Sequence, residues 1–447
     1  MRRAVAPLLA VTVALVLADS AVVTLALPDI LAELDATVGQ VAWVLISFNL
    51  VLGLCAVPTA IWFDRAQPRI FTAVGIAVFA GASAWCAVAG SIDVLVVARC
   101  VQALGGALAL VGCLELMVAE WGERRGVAAW VTAGVVGTAV GPVAGGLLTQ
   151  AISWEAIFVV QVPFAALAVP AALAVRAVPV LPPDRHRPAV RPNLTLALLS
   201  AALTAALFLL VLLLVEGWGR SPATAALTVS VVPVAALAAR PLARLLRPSP
   251  EVEVAVGCFL IAGGLVGLAI PPSAELFWTV APQALVGLGL GLTIDRLTAQ
   301  AMELRLPRAR HAGWTIGARH VGVVVGLAIL TPVFTADLQD AQEPAQEAIA
   351  SLVLDAPLRA EDKISIARAL GDELTQQRGQ IPDLHRAFAA ANLDPAERPA
   401  AAELERDLDA QLEGAATRAF RDSFLIGAGL ALVALLTVIA PRRRRAS

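Results

Sequence analysis

Tyrosine is absent from the 447 residues, lysine occurs once, and charged residues make up only 15% of the chain. A soluble domain of this length needs far more polar surface, so this scarcity of charge, beside 59% hydrophobic residues, makes the chain an integral membrane protein. Without tyrosine, stacking against a flat ligand falls to nine tryptophans and thirteen phenylalanines. The five cysteines, Cys55, Cys86, Cys100, Cys113 and Cys258, all lie in apolar stretches, which argues against a disulfide framework or a metal cluster and for small core residues. There is no phosphate-cradling Gly-Lys-Ser/Thr loop and no nucleophile with a nearby base. Neither an ATP-driven machine nor an enzyme is expected, and no cofactor, metal or nucleic acid is implied.

What the chain does have is twelve apolar stretches, approximately 7–28, 41–62, 70–90, 92–118, 128–150, 155–176, 193–215, 223–246, 252–271, 276–300, 312–335 and 421–440. Each has about the 20 residues that a helix needs to cross a ~30 Å hydrocarbon layer. The opening Met-Arg-Arg and apolar run resemble a secretory signal, but the run continues to Pro28 and carries Asp19, so a retained first span is expected. With a cytoplasmic N-terminus, twenty arginines fall on inner segments and Arg220 alone on the short outer loops. An error of one span would scramble that division, so both termini are expected in the cytoplasm. Heavy use of Ala and of Arg over Lys fits a high-GC bacterial source, hence a multi-pass protein of a plasma membrane.

Two connections are long. Residues 177–192 hold five prolines, Pro179, Pro182, Pro183, Pro188 and Pro192, which suits an extended cytoplasmic linker between two six-helix halves, 1–176 and the part from Asn193 onward. The second, 336–420, separates spans seven to eleven (193–335) from the last span and basic tail (421–447). Residues 337–422 hold 18 acids against 9 bases, whereas the remainder holds 17 acids against 24 bases. Ile364 to Leu374 and Ala400 to Leu412 read as amphipathic helices, broken by Pro382, Pro395 and Pro399. The expected fold is therefore all-α, a polytopic membrane protein of two six-helix halves with an extracytoplasmic helical insertion. The insertion reads either as a solvated addition or as a docking surface for an extracytoplasmic partner or lipid carrier.

Asp19 lies in the middle of the first span. A carboxylate at that depth costs roughly 2.5–3.5 kcal/mol on insertion scales and calls for a partner or a task. It stands twelve residues from Pro7, about 18 Å from the inner boundary, while Arg99 stands eight residues past Ser91, about 12 Å from the outer one. In a ~30 Å layer the two share a level and are expected to pair. Such a pair serves either as a proton switch, with Asp19 taking up a proton and releasing Arg99, or as a permanent ion pair that fixes packing.

Several motifs carry a family likeness. The first span reads Ala18-Asp19-Ser20-Ala21-Val22-Val23-Thr24-Leu25-Ala26-Leu27-Pro28; the second holds Trp43, Phe48, Leu50 and Pro58; the fourth holds Arg99, Gln102, Gly105 and Gly106. The fifth holds Gly137, Gly141, Pro142, Gly145 and Gly146, and the sixth Trp154, Phe158 and Pro163. In these the chain resembles the drug:proton antiporters of the major facilitator superfamily. It is most similar to the branch that usually has fourteen spans, here without the two central ones, and Gly313, Gly317, Arg319, Gly322 and Gly326 of span eleven match that branch too. The usual loop Gly-x-x-x-Asp-Arg-x-Gly keeps Asp64, Arg65 and Arg69 but has Ala60 and Gln67 for its glycines. The resemblance implies a proton-coupled exporter with Asp19 and Arg99 in coupling, the fifth-span glycines and Pro142 as hinge, and Asp64, Arg65 and Arg69 as a cytoplasmic gating loop.

Asn49, Gln102, Gln161, Gln283 and Arg319 are candidates to line a cavity or, equally, to bond helix to helix. Asp295, Arg296 and Glu115 read as interfacial, with Arg319 a conceivable partner for Asp295. The leading expectation is a monomer that exports small hydrophobic or amphipathic, drug-like compounds by proton antiport. Export of an endogenous metabolite or lipid through the outer insertion is an alternative, and a non-transporting scaffold or sensor is another of a different class.

Overall fold

A computed structural model of the protein describes residues 5–63, 67–175, 187–302, 307–376, 384–391 and 397–439. Regular structure among them is helical throughout. In hydrocarbon, a helix satisfies every backbone N–H and C=O within its own segment, which is why apolar runs of this length take no other form. The first half consists of α1 (Val5–Thr24), α2 (Leu27–Glu33), α3 (Val38–Phe63), α4 (Pro68–Ala87), α5 (Ile92–Trp121), α6 (Glu123–Ala151), α7 (Ala156–Val159) and α8 (Gln161–Ala174). The second holds α9 (Val190–Thr204), α10 (Leu210–Leu212), α11 (Pro222–Val229), α12 (Val231–Leu246), α13 (Pro250–Ala269), α14 (Leu276–Met302), α15 (Arg308–Asp355), α16 (Ala360–Gln376), α17 (Leu384–Ala390) and α18 (Arg398–Ile439). Capping follows from sequence: Ser91, Ser221 and Ser249 each accept from a backbone N–H three residues on, and Pro222 and Pro250 open their helices where a missing N–H costs nothing.

Eleven helices among the described residues are long and apolar enough to cross a membrane, and a twelfth span is the pair Glu123–Thr138 and Val140–Ala151, bent by 40°. The bend falls just before Pro142, whose ring removes a backbone donor. Three expected boundaries move. The first span stops at Thr24, and Pro28 instead opens the short α2. The seventh begins at Val190, inside the expected linker, of which residues 177–186 lie outside the described part. The connection 336–420 is no separate chain of short helices at its edges: α15 runs unbroken for 48 residues and α18 for 42. At 1.5 Å per residue α15 is about 72 Å long, more than twice the hydrocarbon thickness. Pro399 sits in the first turn of α18 and so starts that helix instead of breaking one; Pro382 and Pro395 lie outside the described residues.

The insertion has its own core of Ile349, Val353, Ile366, Leu370, Leu384, Phe388, Leu404 and Leu408. It is fastened to the bundle where Trp218 Nε1 donates to Thr417 Oγ1 at 3.0 Å and Arg220 meets Glu413 at 3.3 Å.

Packing repeats between the halves. Helix α1 lies on α6, where a Cβ on Gly137 or Gly145 would collide with the carbonyls of Ala14 or Val22; α9 lies on α15, where Gly322 stands equally close to Ala197. The halves themselves meet at both ends of the bundle. Toward the linker, Ala309, Ala312 and Ile316 of α15 join the core of the first half. Toward the insertion, Leu25 and Ile30 share a core with Leu209, Leu213 and Trp218, and α6 touches α11.

Candidate functional site

Asp19 and Arg99 are both wholly buried, and an Arg99 Nη1 donates to Asp19 Oδ2. Each side chain is drawn in by its neighbours as well. Gln102, one turn after Arg99 and therefore on the same helix face, accepts from Arg99 Nη1 through Oε1 at 2.6 Å and donates through Nε2 to Asp19 Oδ1 at 3.1 Å. Gln161 Nε2 donates to the same Oδ1 at 2.9 Å, and Ser83 Oγ accepts from Gln102 at 2.9 Å. Arg99 Nε donates to the Val44 carbonyl at 3.3 Å, and the guanidinium lies 4.1 Å from the centre of the Phe48 ring and 5.7 Å from that of Phe158. The sequence expected Gln102 and Gln161 as cavity lining, with a helix-to-helix bond as the equal alternative; the structure turns both onto Asp19. Cation, carboxylate and amides thus form one network drawn from α1, α4, α5 and α8, all in the first half.

A separate cavity of about 140 Å³ lies between the halves. Its wall takes Leu17, Ser20, Ala21 and Thr24 from α1, Leu45 and Asn49 from α3, Thr138 and Pro142 from α6, and Arg319, His320, Val323 and Leu327 from α15. Seventh-span residues Leu203, Leu207, Phe208 and Val211 complete one side. Here the helix opens into two π turns, Ala205–Leu209 and Leu213–Gly217, a deformation often met at functional sites and one that no sequence pattern announced. Ser20 faces the cavity while Asp19, its neighbour, faces the buried network. Ser20 is linked to the other half through Asn49: Asn49 Nδ2 donates to Ser20 Oγ at 3.2 Å, and Asn49 Oδ1 meets His320 Nδ1 of the other half at 2.8 Å.

The remaining candidates are spread out. Gln283 is buried in α14, where its Nε2 donates to Thr279 Oγ1 at 2.9 Å, and it does not reach the cavity. Asp295 meets Arg240 instead of Arg319, through Arg240 Nε at 2.6 Å, and Arg296 Nε donates to Glu253 at 2.6 Å. Arg69 is exposed in the first turn of α4, while Asp64 and Arg65 lie outside the described residues. Of the hinge glycines, Gly137, Gly141 and Gly145 face α1, whereas Gly146 faces Ala226 and Pro222 of the second half, where Gln150 Oε1 also accepts from Ala223 N at 2.8 Å. A contact unforeseen in the sequence closes the linker end: Arg308 lies 3.0 Å from Glu123 and 3.7 Å from Glu115 across the halves.

The sequence model of the Major Facilitator Superfamily matches residues 9–331. The chain belongs to that superfamily. That superfamily is one of membrane transporters. Among superfamily relatives, it is 36% identical over 169 residues to the tetracenomycin C resistance and export protein of Streptomyces glaucescens, covering 37% of this chain and 31% of that protein. It is 34% identical over 176 residues to an uncharacterised transporter of the superfamily from Mycobacterium tuberculosis, covering 39% of this chain and 30% of the relative, so each match spans less than a third of the relative's length. A longer match, 28% identical over 391 residues, covers 78% of this chain and 81% of the methylenomycin A resistance protein of Streptomyces coelicolor. In fold, the chain is similar to the crystal structure of a bacterial homolog to the human lysosomal transporter Spinster, inward-facing and occupied, with a TM-score of 0.65 at 14% identity over 98% of this chain and 96% of that one.

Proposed function

We propose that the chain exports small hydrophobic or amphipathic compounds in exchange for protons, with Asp19 as the protonation site and Arg99 as its counter-charge. The observation that carries this reading is the buried Asp19 carboxylate, which holds a guanidinium and two amides one residue away from the cavity wall. Protonating Asp19 leaves a buried cation without its partner, a cost of several kcal/mol that α5 relieves only by shifting against α1. Because α1 rests on α6 through backbone contact at Gly137 and Gly145, and α6 touches the second half at Gly146, a shift of α1 reaches the contact between the halves. A proton bound from one side and released to the other then biases which end opens. The arginine distribution favours the linker end as cytoplasmic and the insertion as external. Resistance and export in the names of relatives favour outward movement of cargo.

Reconstitution into vesicles with an imposed pH gradient tests the reading. Candidate compounds should accumulate with the gradient in wild type and not in Asp19→Asn, while Asp19→Asn still equilibrates compound downhill. Accumulation that survives Asp19→Asn sinks the proposal.

A further inference from the structure

The central cavity carries an imbalance of charge. Arg319 contributes a full positive charge to its wall, and no Asp or Glu is among the described residues that line it. The Asp295 carboxylate, which the sequence offered as a partner for Arg319, has its Oδ2 taken by Arg240. No described hydrogen bond or ion pair engages the Arg319 guanidinium, and the His320 beside it is turned to Asn49. Arg240 and Asp295 therefore cancel each other, which leaves the positive charge of Arg319 uncompensated at one end of a mostly apolar chamber. In the first half, by contrast, Asp19 and Arg99 cancel.

An unpaired guanidinium away from bulk water is costly, and a ligand oxyanion is what offsets it: the planar fork matches a carboxylate, phosphate or sulfate with two parallel hydrogen bonds. An amphipathic cation meets repulsion at the same point. The rest of the wall is mostly apolar, its other polar groups being hydroxyls, Asn49 and His320, and the apolar part is directional. From Arg319, Val323 and Leu327 follow one and two turns along α15 toward the insertion end, about 12 Å, and Leu203, Leu207 and Val211 climb the seventh span in parallel. That length suits a medium alkyl chain or a fused-ring body of similar reach.

We propose that the cargo of this cavity is an amphipathic anion, its oxyanion head on Arg319 and its apolar body along Leu207, Phe208, Val323 and Leu327. The proposal rests on reading the cavity as the cargo site of an exporter, and it narrows the cargo's chemistry.

Binding without any gradient separates the two. The full chain in nanodiscs of zwitterionic lipid is titrated with laurate, dodecyl phosphate, dodecyltrimethylammonium and dodecanol, with protein-free nanodiscs subtracted. Laurate and dodecyl phosphate should bind wild type roughly tenfold or more tighter than dodecyltrimethylammonium. Arg319→Gln should lose that preference, and Arg319→Lys should keep most of it. A cation that binds wild type as well as laurate does, or laurate binding unchanged in a folded Arg319→Gln, overturns the proposal. If Arg319→Gln does not fold, the preference of wild type decides alone. Loss of proton coupling in vesicles leaves these affinities untouched, and an inverted preference leaves the coupling by Asp19 untouched.

Discussion

His320 of α15 and Asn49 of α3 share a hydrogen bond across the two halves, Nδ1 to Oδ1 at 2.8 Å, at the wall of the cavity. Asn49 also holds Ser20, so two bonds connect α15 to the residue beside Asp19. A buried hydrogen bond contributes about 0.5–1.5 kcal/mol net. Asn49→Ala and His320→Ala should therefore each raise the linker-end-open population by roughly twofold to tenfold, and the double variant should add little to either single one. Spin-label distances between the linker ends of α3 and α15 read this directly. Full additivity of the two substitutions would show that the contact does not join the halves energetically.

The Asp19 network makes an asymmetric prediction about stability. Arg99→Ala leaves a buried carboxylate with only amide partners and should destabilise the protein by about 3–5 kcal/mol, while Asp19→Asn, which resembles the proton-loaded form, strands Arg99 but relieves part of that cost through the shift of α5 and should cost less. Gln161→Leu removes one of three donors to Asp19 and should cost about 1–3 kcal/mol. Thermal unfolding in detergent orders the three. If Gln161→Leu proves as costly as Arg99→Ala, the pair is not the dominant interaction.

Much of this was legible before any coordinates. Asp19 and Arg99 stand out because a charge at bilayer depth is rare, and a fixed rise per residue gives each a level. Gln102 was legible in principle too: it follows Arg99 by three residues and shares its face, yet it was equally readable as cavity lining because polarity alone does not say which neighbour a face meets. Asp295 likewise fell to Arg240, an arginine on α12 that had counted only toward orientation. Contacts between the halves had no sequence signal. Whether Arg308 meets Glu123 depends on how two rigid bodies are tilted, and residue spacing within one helix carries nothing about that tilt.

Those cross-half contacts give a second kind of test. Arg308 bridges Glu115 and Glu123 at the linker end, where all three lie at or near the membrane boundary. Arg308→Gln should loosen that end by about 0.5–1 kcal/mol at low salt, and less at high salt because screening already weakens the pair. Cysteine accessibility at Ala309 or Ala312, both buried between the halves, should rise in the variant. Unchanged protection at low salt would remove Arg308 from the closure.

The fifth-span glycines separate folding from gating. A Cβ on Gly137 would collide with the backbone of α1 in the same half, so Gly137→Ala should overpack the first half and cost about 1–3 kcal/mol in any conformation. At Gly146 the nearest atoms belong to Ala226 and Pro222 of the other half, so Gly146→Ala clashes only when the insertion end is closed. Gly146→Ala should unfold nearly as wild type does, yet expose Ala226 to a thiol reagent when that residue is replaced by cysteine. Gly137→Ala should do the reverse, with a lower unfolding temperature and no greater exposure at Ala226. Equal losses of stability at both positions would mean that α6 packs as one rigid surface and that Gly146 has no part in closing the insertion end.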